Sequence, residues 1–169
     1  MSATNVDVVV VGGGPSGSTV ATILAQKGLS VELFERDHFP RFHIGESMIP
    51  NTYYAIERTG LLAKMKGSHF VKKHSVQFVD QRGRLSEPFY FWDNKPHESS
   101  QTWQVRRSEF DTLALNHARE NRVKVSEGAR VLEVIFEGKQ AVGVRVKPED
   151  GPEREVRSKV VVDASGQST

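Results

Sequence analysis

The stretch that decides the fold is Val6-Asp7-Val8-Val9-Val10-Val11-Gly12-Gly13-Gly14-Pro15-Ser16-Gly17. The valines make a near-continuous β-branched run, as a parallel strand needs when both of its faces are covered. Glycines at 12, 13, 14 and 17 then break the run. Residues 18–27 follow with Val20, Ala21, Ile23 and Leu24 at helical spacing, and Gly28 is a suitable helix end. Leu29, Val31, Leu33 and Phe34 predict a second strand that ends at Glu35-Arg36. Strand, helix and strand together form a βαβ unit of roughly 30 residues.

Within that unit the spacing Gly12-x-Gly14-x-x-Gly17 meets specific physical demands. The first glycine permits a tight turn, the second lets a pyrophosphate approach the backbone, and the third lets the helix pack closely on the strand. The helix N-terminus, with Pro15 and Ser16 in its first turn, presents N–H groups and a positive dipole end to phosphates. Glu35 stands at the tip of the second strand, where an acid about 20 residues past the glycines accepts a ribose hydroxyl. An ordinary glycine turn explains the triplet alone. It does not explain triplet, strand, helix and acid together, which point to a dinucleotide. The unit by itself suits NAD or FAD.

Composition narrows the field. The chain has 169 residues, 37% of them hydrophobic and 26% charged, with a formal net charge of +2 and no Cys. It is too apolar for a disordered chain and too charged for a membrane protein. So small a basic surplus excludes a strongly basic nucleic-acid module. The lack of Cys excludes a disulfide scaffold, a thiolate metal site and a Cys nucleophile. No segment approaches the ~20 apolar residues of a membrane span, and Asp7 inside the first apolar run argues against a signal peptide. The six His show no ligand spacing, so no metal is expected. No Ser sits in a nucleophile elbow.

The rest of the chain reads as follows. Residues 37–50 form a loop, and 51–58 a short helix stopped by Gly60. Residues 70–80 and 85–92 form two strands around the hairpin signal at 81–84. Residues 94–100 are a polar loop. Residues 108–121 are helical, with Ser108 as N-cap and Phe110, Leu113, Leu115 and Ala118 as a buried stripe. A short strand at 123–125 precedes a β-meander of 131–136, 141–147 and 153–157. A final strand, 160–162, runs into Asp163-Ala164-Ser165-Gly166. In isolation Asp163 is a turn residue at a strand end.

With that acid-small-small-Gly turn added to the first βαβ unit, the chain resembles the FAD-binding flavoproteins of glutathione-reductase type. The branch is the one that holds aromatic hydroxylases, geranylgeranyl reductases and flavin-dependent halogenases. Phe39-Pro40-Arg41 and Gly45-Glu46-Ser47-x-x-Pro50 are similar to the signature of the halogenases. The resemblance runs over essentially all 169 residues. It implies an α/β Rossmann-like domain, a parallel sheet with an inserted β-meander at about 130–157 and a β-rich insertion at about 70–105. It also implies that FAD is held by Gly12, Gly14, Pro15, Ser16, Gly17, Glu35 and Arg36. Asp163 would hold a ribityl hydroxyl and Gly166 would admit the cofactor backbone. Arg41 and Ser47 would lie near the flavin, Arg107 at the pyrophosphate or flavin edge, and Val131 at the adenine. Taken without the family, Arg41 is a solvated cation, Ser47 a turn residue and Val131 an ordinary strand residue.

The chemistry-bearing stretch is Phe70-Val71-Lys72-Lys73-His74-Ser75-Val76-Gln77-Phe78, which resembles the halogenase segment carrying a functional lysine. In that family a flavin hydroperoxide oxidises chloride or bromide to hypohalous acid, and the lysine relays it to an electron-rich substrate. The alignment assigns the role to Lys73, with Lys72 as its neighbour. Two solvent-facing lysines guarding a strand edge would look the same. His74-Ser75-Val76 departs from the Gly-containing sequence common after that lysine. The implied partners are halide, O2, a small-molecule substrate, free or tethered to a carrier protein, and a separate flavin reductase; a cytoplasmic location is expected. A hydroxylase or geranylgeranyl-reductase-like enzyme shares every glycine and acid cited, and a non-catalytic nucleotide-binding module stands as an alternative of another class. The family's Trp-x-Trp-x-Ile-Pro element and a substrate domain are expected beyond Thr169. The 169 residues alone are therefore expected to be an incomplete, inactive N-terminal part that binds FAD weakly.

Overall fold

A strand buried on both faces must alternate its side chains between two cores, and the first strand does this. In the computed structural model, which describes residues 4–168, Val8 and Val10 belong to one apolar cluster and Val9 to another. The elements in chain order begin with β1 (Thr4–Val11), α1 (Pro15–Gln26), β2 (Val31–Phe34), α2 (Thr52–Thr59) and α3 (Leu62–Lys66). They continue with β3 (Val71–Lys73), β4 (Ser75–Val76), β5 (Phe89–Tyr90), α4 (Phe91–Asn94) and β6 (Thr102–Gln104). The last are α5 (Arg107–Glu120), β7 (Lys124–Ser126), β8 (Ala129–Glu137), β9 (Gln140–Pro148) and β10 (Arg154–Asp163). The chain divides into two units, Met1–His43 with Ser108–Thr169, and Ile44–Arg107.

The first unit is a six-stranded sheet of order β7-β2-β1-β10-β9-β8. Strands β7, β2, β1 and β10 run parallel, and β9 and β8 complete it as an antiparallel meander. One core packs Val8, Val10, Val31 and Leu33 against Ala21 of α1 and Leu115 and Ala118 of α5. The other packs Val9 and Phe34 against Val144 and Val146 of β9 and Val156 of β10. This is the Rossmann-like parallel sheet with an inserted meander that the sequence implies.

Two expectations need correction here. Residues 153–157 and 160–162 are not separate strands but one, β10, whose start, Arg154–Arg157, pairs antiparallel with β9 and which pairs parallel with β1 from Val156 to Asp163. The polar Arg157-Ser158-Lys159 step hid the continuity. A backbone ladder does not need apolar side chains, and Lys159 instead reaches Asp7 at 2.7 Å. Ser108 is not the N-cap of α5, because the helix already includes Arg107. Ser108 lies in the first turn and its carbonyl accepts from Thr112 Oγ1.

The second unit is built of short pieces. Helix α2 ends on Gly60 in the left-handed region, as read from the sequence. The long strand expected at 70–80 breaks at His74: β3 pairs with β6, and β4 pairs with β5. The return strand expected at 85–92 shrinks to Phe89–Tyr90 and passes directly into α4. Pro88 explains the loss, since it has no N–H to give a ladder. The turn itself is present, with Asp80 accepting from the N–H groups of Arg82 and Arg84. Met65, Trp103 and Val105 are large, fully buried side chains of this unit.

Candidate functional site

In the first unit, β1 delivers the chain into the glycine turn at Gly12, whose φ is +100°. A Cβ there would stand 2.5 Å from the carbonyl oxygen of Ala164, so only glycine fits. A Cβ at Gly17 would stand 1.8 Å from the carbonyl oxygen of Gly12, which sets how closely α1 seats on the turn. The helix starts at Pro15 with Gly14 as N-cap, and no side chain caps it. An uncapped helix start behind a glycine turn is an anion cradle.

Glu35, at the end of β2, is buried and fixed. Its Oε2 accepts the N–H of Gly13 at 2.7 Å and its Oε1 that of Asp37 at 2.9 Å. Each carboxylate oxygen has a second lone pair, so a ribose hydroxyl can still be accepted. Asp163 closes β10 beside the glycine turn, and the N–H of Ala164 donates to the carbonyl of Val11 at 2.8 Å. The Ser165 hydroxyl and N–H, at 2.6 and 3.0 Å, both donate to Asp163 Oδ1. They hold that carboxyl below the ordinary carboxylate range. Ser16, Val20, Asp163 and Gly166 line a cleft of about 450 Å³.

Arg41 enters this region from the loop after β2. Its guanidinium lies 4.6 Å from the centre of the Phe39 ring, with Nε 3.6 Å from Asp37 and Nη1 3.5 Å from the fully buried Asp111 of α5. Nε and Nη1 are buried without a hydrogen bond, and Nη2 lies 3.7 Å from the point a Cβ at Gly14 would occupy. Nε and Nη1 thus face the two carboxylates and Nη2 the glycine turn, and a mostly buried guanidinium beside that turn suits a diphosphate. A second cleft of about 410 Å³ lies beyond Glu35, lined by Arg36, His38, Gly128, Arg130, Lys147 and Glu149. His38 Nε2 and Glu149 Oε2 stand 2.7 Å apart, and that contact raises the imidazole above its ordinary pKa. Val131 packs its side chain against the core and pairs with Val146, one residue from Arg130 in the cleft wall. Turn, helix start, acid and buried arginine together fit an extended dinucleotide.

In the second unit, the two lysines of β3 differ in exposure and in partners. Residues opposed across an antiparallel pair share a face, and Lys73 opposes Thr102 while Lys72 opposes Trp103. Lys72 is exposed, whereas Lys73 is half-buried. Lys73 Nζ donates to Ser47 Oγ at 2.6 Å and to the carbonyl of Met48 at 3.4 Å, and lies 5.6 Å from the centre of the Phe91 ring. Arg107 donates to the carbonyl of Ile44 at 2.6 Å. Among the described residues no three His, Asp or Glu side chains gather to hold a metal, and no helix is long and apolar enough to cross a membrane.

The FAD dependent oxidoreductase family model matches residues 7–169. The chain belongs to the FAD-dependent oxidoreductases. This flavoprotein sequence is 42% identical over 163 residues to a brominase of 1H-pyrrole-2-carbonyl peptidyl-carrier protein from Pseudoalteromonas luteoviolacea, matching 96% of this chain and 38% of that protein. It is 35% identical over 162 residues to a tryptophan 2-halogenase of Chondromyces crocatus, covering 95% of this chain and 30% of that one. The solved structure of the myxobacterial chondrochloren halogenase superposes with a TM-score of 0.91 at 37% identity, over 98% of this chain and 38% of that one. The chain thus spans 30–38% of the length of these relatives. The implied cofactor is FAD.

In this flavoprotein the residues expected at the cofactor are divided between the two units. Gly12, Gly14, Pro15, Ser16, Gly17, Glu35, Arg41, Asp163 and Gly166 fall in one unit around the glycine turn, with Arg36 in the second cleft. Ser47 and Arg107 belong to the other unit with Lys73. Asp111 went unread as the partner of Arg41. Its signal was present, since it falls on the stripe of Ala114, Leu115 and Ala118 and is the one acid there. Nothing in the sequence singled out Arg130, Lys147 and Glu149 as walls of one cleft.

Proposed function

We propose that this chain is the FAD-binding part of a flavin-dependent halogenase. The observation that carries the reading is Lys73, a half-buried ammonium held by Ser47 and Met48 on the strand where the halogenase resemblance assigns the functional lysine. FAD, reduced by a separate flavin reductase, supplies with O2 the oxidising equivalents that turn halide into hypohalous acid. Gly12, Gly14, Pro15, Ser16 and Gly17 bind its diphosphate against the start of α1, with Arg41 neutralising charge. Glu35 accepts a ribose hydroxyl, and Arg36 and the backbone at Val131 bound the adenosine end. Asp163 accepts from the ribityl chain where Gly166 leaves room, and Arg107 serves the cofactor edge. Lys73 holds the hypohalous acid by an N–H donor and hands its halogen to the substrate, whose C–H proton leaves with the hydroxyl as water.

The substrate class is an electron-rich aromatic, free or tethered to a carrier protein, as in the pyrrole brominase named above. The complete enzyme works in the cytoplasm with halide, O2 and the reductase as partners. The test uses the complete FAD-loaded enzyme, a flavin reductase, bromide, and phenol, indole and pyrrole probes. The expected result is a brominated probe by mass, lost by roughly 100- to 10,000-fold in Lys73→Ala while flavin oxidation continues. Unchanged bromination by Lys73→Ala, or a hydroxylated probe in place of a brominated one, would refute the reading.

A further inference from the structure

We propose that Ser47 is the positioning residue that aims Lys73, an inference that rests on Lys73 being the halogen-delivering group. Segment 46–48 is attached to β6 by backbone bonds. Val105 N–H donates to the Glu46 carbonyl at 2.8 Å, Met48 N–H donates to the Trp103 carbonyl at 3.1 Å, and Ser47 bridges Gln104. It thereby acts as a third strand beside β6, with β3 on the other side. Lys73 faces Thr102, and Gln104 faces Ser47, so pleat parity puts all four side chains on one face. The lysine stem crosses β6 on that face and ends at the Ser47 hydroxyl, 2.6 Å away.

An ammonium has three N–H donors on a flexible stem. Ser47 Oγ takes one and the Met48 carbonyl, at 3.4 Å, takes a second. These two acceptors sit on a segment whose own backbone is pinned, so they fix the direction of the third N–H. That remaining donor is the one that holds hypohalous acid. Ser47 therefore acts through Lys73, not on the flavin, although the sequence resemblance sets it near the cofactor. Without the hydroxyl the ammonium keeps its charge and loses its aim. Hypohalous acid still forms but escapes to solution instead of reaching the substrate.

The test compares Ser47→Ala and Ser47→Thr in the complete FAD-loaded enzyme, with bromide and an aromatic probe that the parent enzyme brominates. Ser47→Ala should lower kcat for bromination by roughly 10- to 100-fold, the scale of one lost hydrogen bond to a charged group. KM for the probe, FAD affinity and the rate of flavin oxidation should stay unchanged. Hypobromous acid trapped by monochlorodimedone should rise to account for the missing product. Ser47→Thr should restore coupling. In 15N-lysine-labelled protein, the Nζ resonance missing from Lys73→Ala should shift in Ser47→Ala and return in Ser47→Thr. Full coupling and an unshifted resonance in Ser47→Ala overturn the proposal. So does a weakened FAD affinity with slowed flavin oxidation, which would make Ser47 a cofactor contact. Lys73→Ala separates the two levels. If it still brominates, the halogenase reading falls; if it does not while Ser47→Ala is fully coupled, only the role of Ser47 falls.

Discussion

The two units hold their functional groups by different means. In Met1–His43 with Ser108–Thr169, a six-stranded sheet whose strands β1 and β2 are buried on both faces carries a turn in which glycine backbone does the shaping. In Ile44–Arg107, strands of two or three residues pair two by two, and Phe78, Val79, Leu85 and Trp92 are exposed. There the proposed relay group, Lys73, is a side chain, and hydrogen bonds to Ser47 and Met48 hold it. A diphosphate is recognised by a fixed curve of peptide groups, which needs a rigid sheet and glycine contacts. A relay needs one donor at one point, which a pinned loop and a short ladder can give.

The sharpest way to break this contrast is to compare core with hairpin. Leu33 is fully buried between β1, α1 and α5. Leu33→Ala should cost about 2–5 kcal/mol in urea unfolding. Leu85, exposed near the hairpin tip, should tolerate Leu85→Ser within ~0.5 kcal/mol. Equal losses at the two sites would erase the distinction. A smaller effect is expected at Arg41. Arg41→Ala should weaken FAD binding by roughly tenfold, about 1.4 kcal/mol, and Arg41→Lys should not restore it, because a point charge lacks the planar fork. Flavin fluorescence titration reads both, and full rescue by lysine would reduce Arg41 to a charge.

The smallest effect is electrostatic. Glu149 raises the pKa of His38, so the contact favours the folded state while the imidazole is charged. That contribution is complete below about pH 6.5, the ordinary His value, and fades as pH rises through the raised folded value. Glu149→Gln should bring the His38 midpoint down in a proton NMR titration. A midpoint that does not move would show that Glu149 is not its cause.

Much of the first unit was legible in sequence because its rules are local. A valine run, three spaced glycines and a strand-end acid have ordinary readings when taken singly, and together they locate the turn. The unit's longest strand was not, because Arg157-Ser158-Lys159 looks like a loop until a parallel partner is known. Asp111 was hidden differently: a lone acid on an apolar stripe announces a partner without saying that the partner is Arg41. In the second unit, β6 carried too few residues to show a period, and the break at His74 depends on two partners competing for one stretch. Which lysine is the less exposed likewise needed tertiary contacts, those of Lys73 with Ser47 and Met48. Adjacent residues on a strand are equivalent by pattern and opposite by pairing.

Strand β10 also limits how such an enzyme can be recombined. Its ten residues form one rod of roughly 30 Å that starts against the meander and ends at Asp163. Because side chains alternate, inserting or deleting a single residue anywhere along it would reverse the parity of everything downstream and turn the Asp163 carboxylate to the wrong face. Chimeras that graft a foreign continuation onto this chain should therefore be spliced in the turns at Gly138 or Gly151, never within the rod.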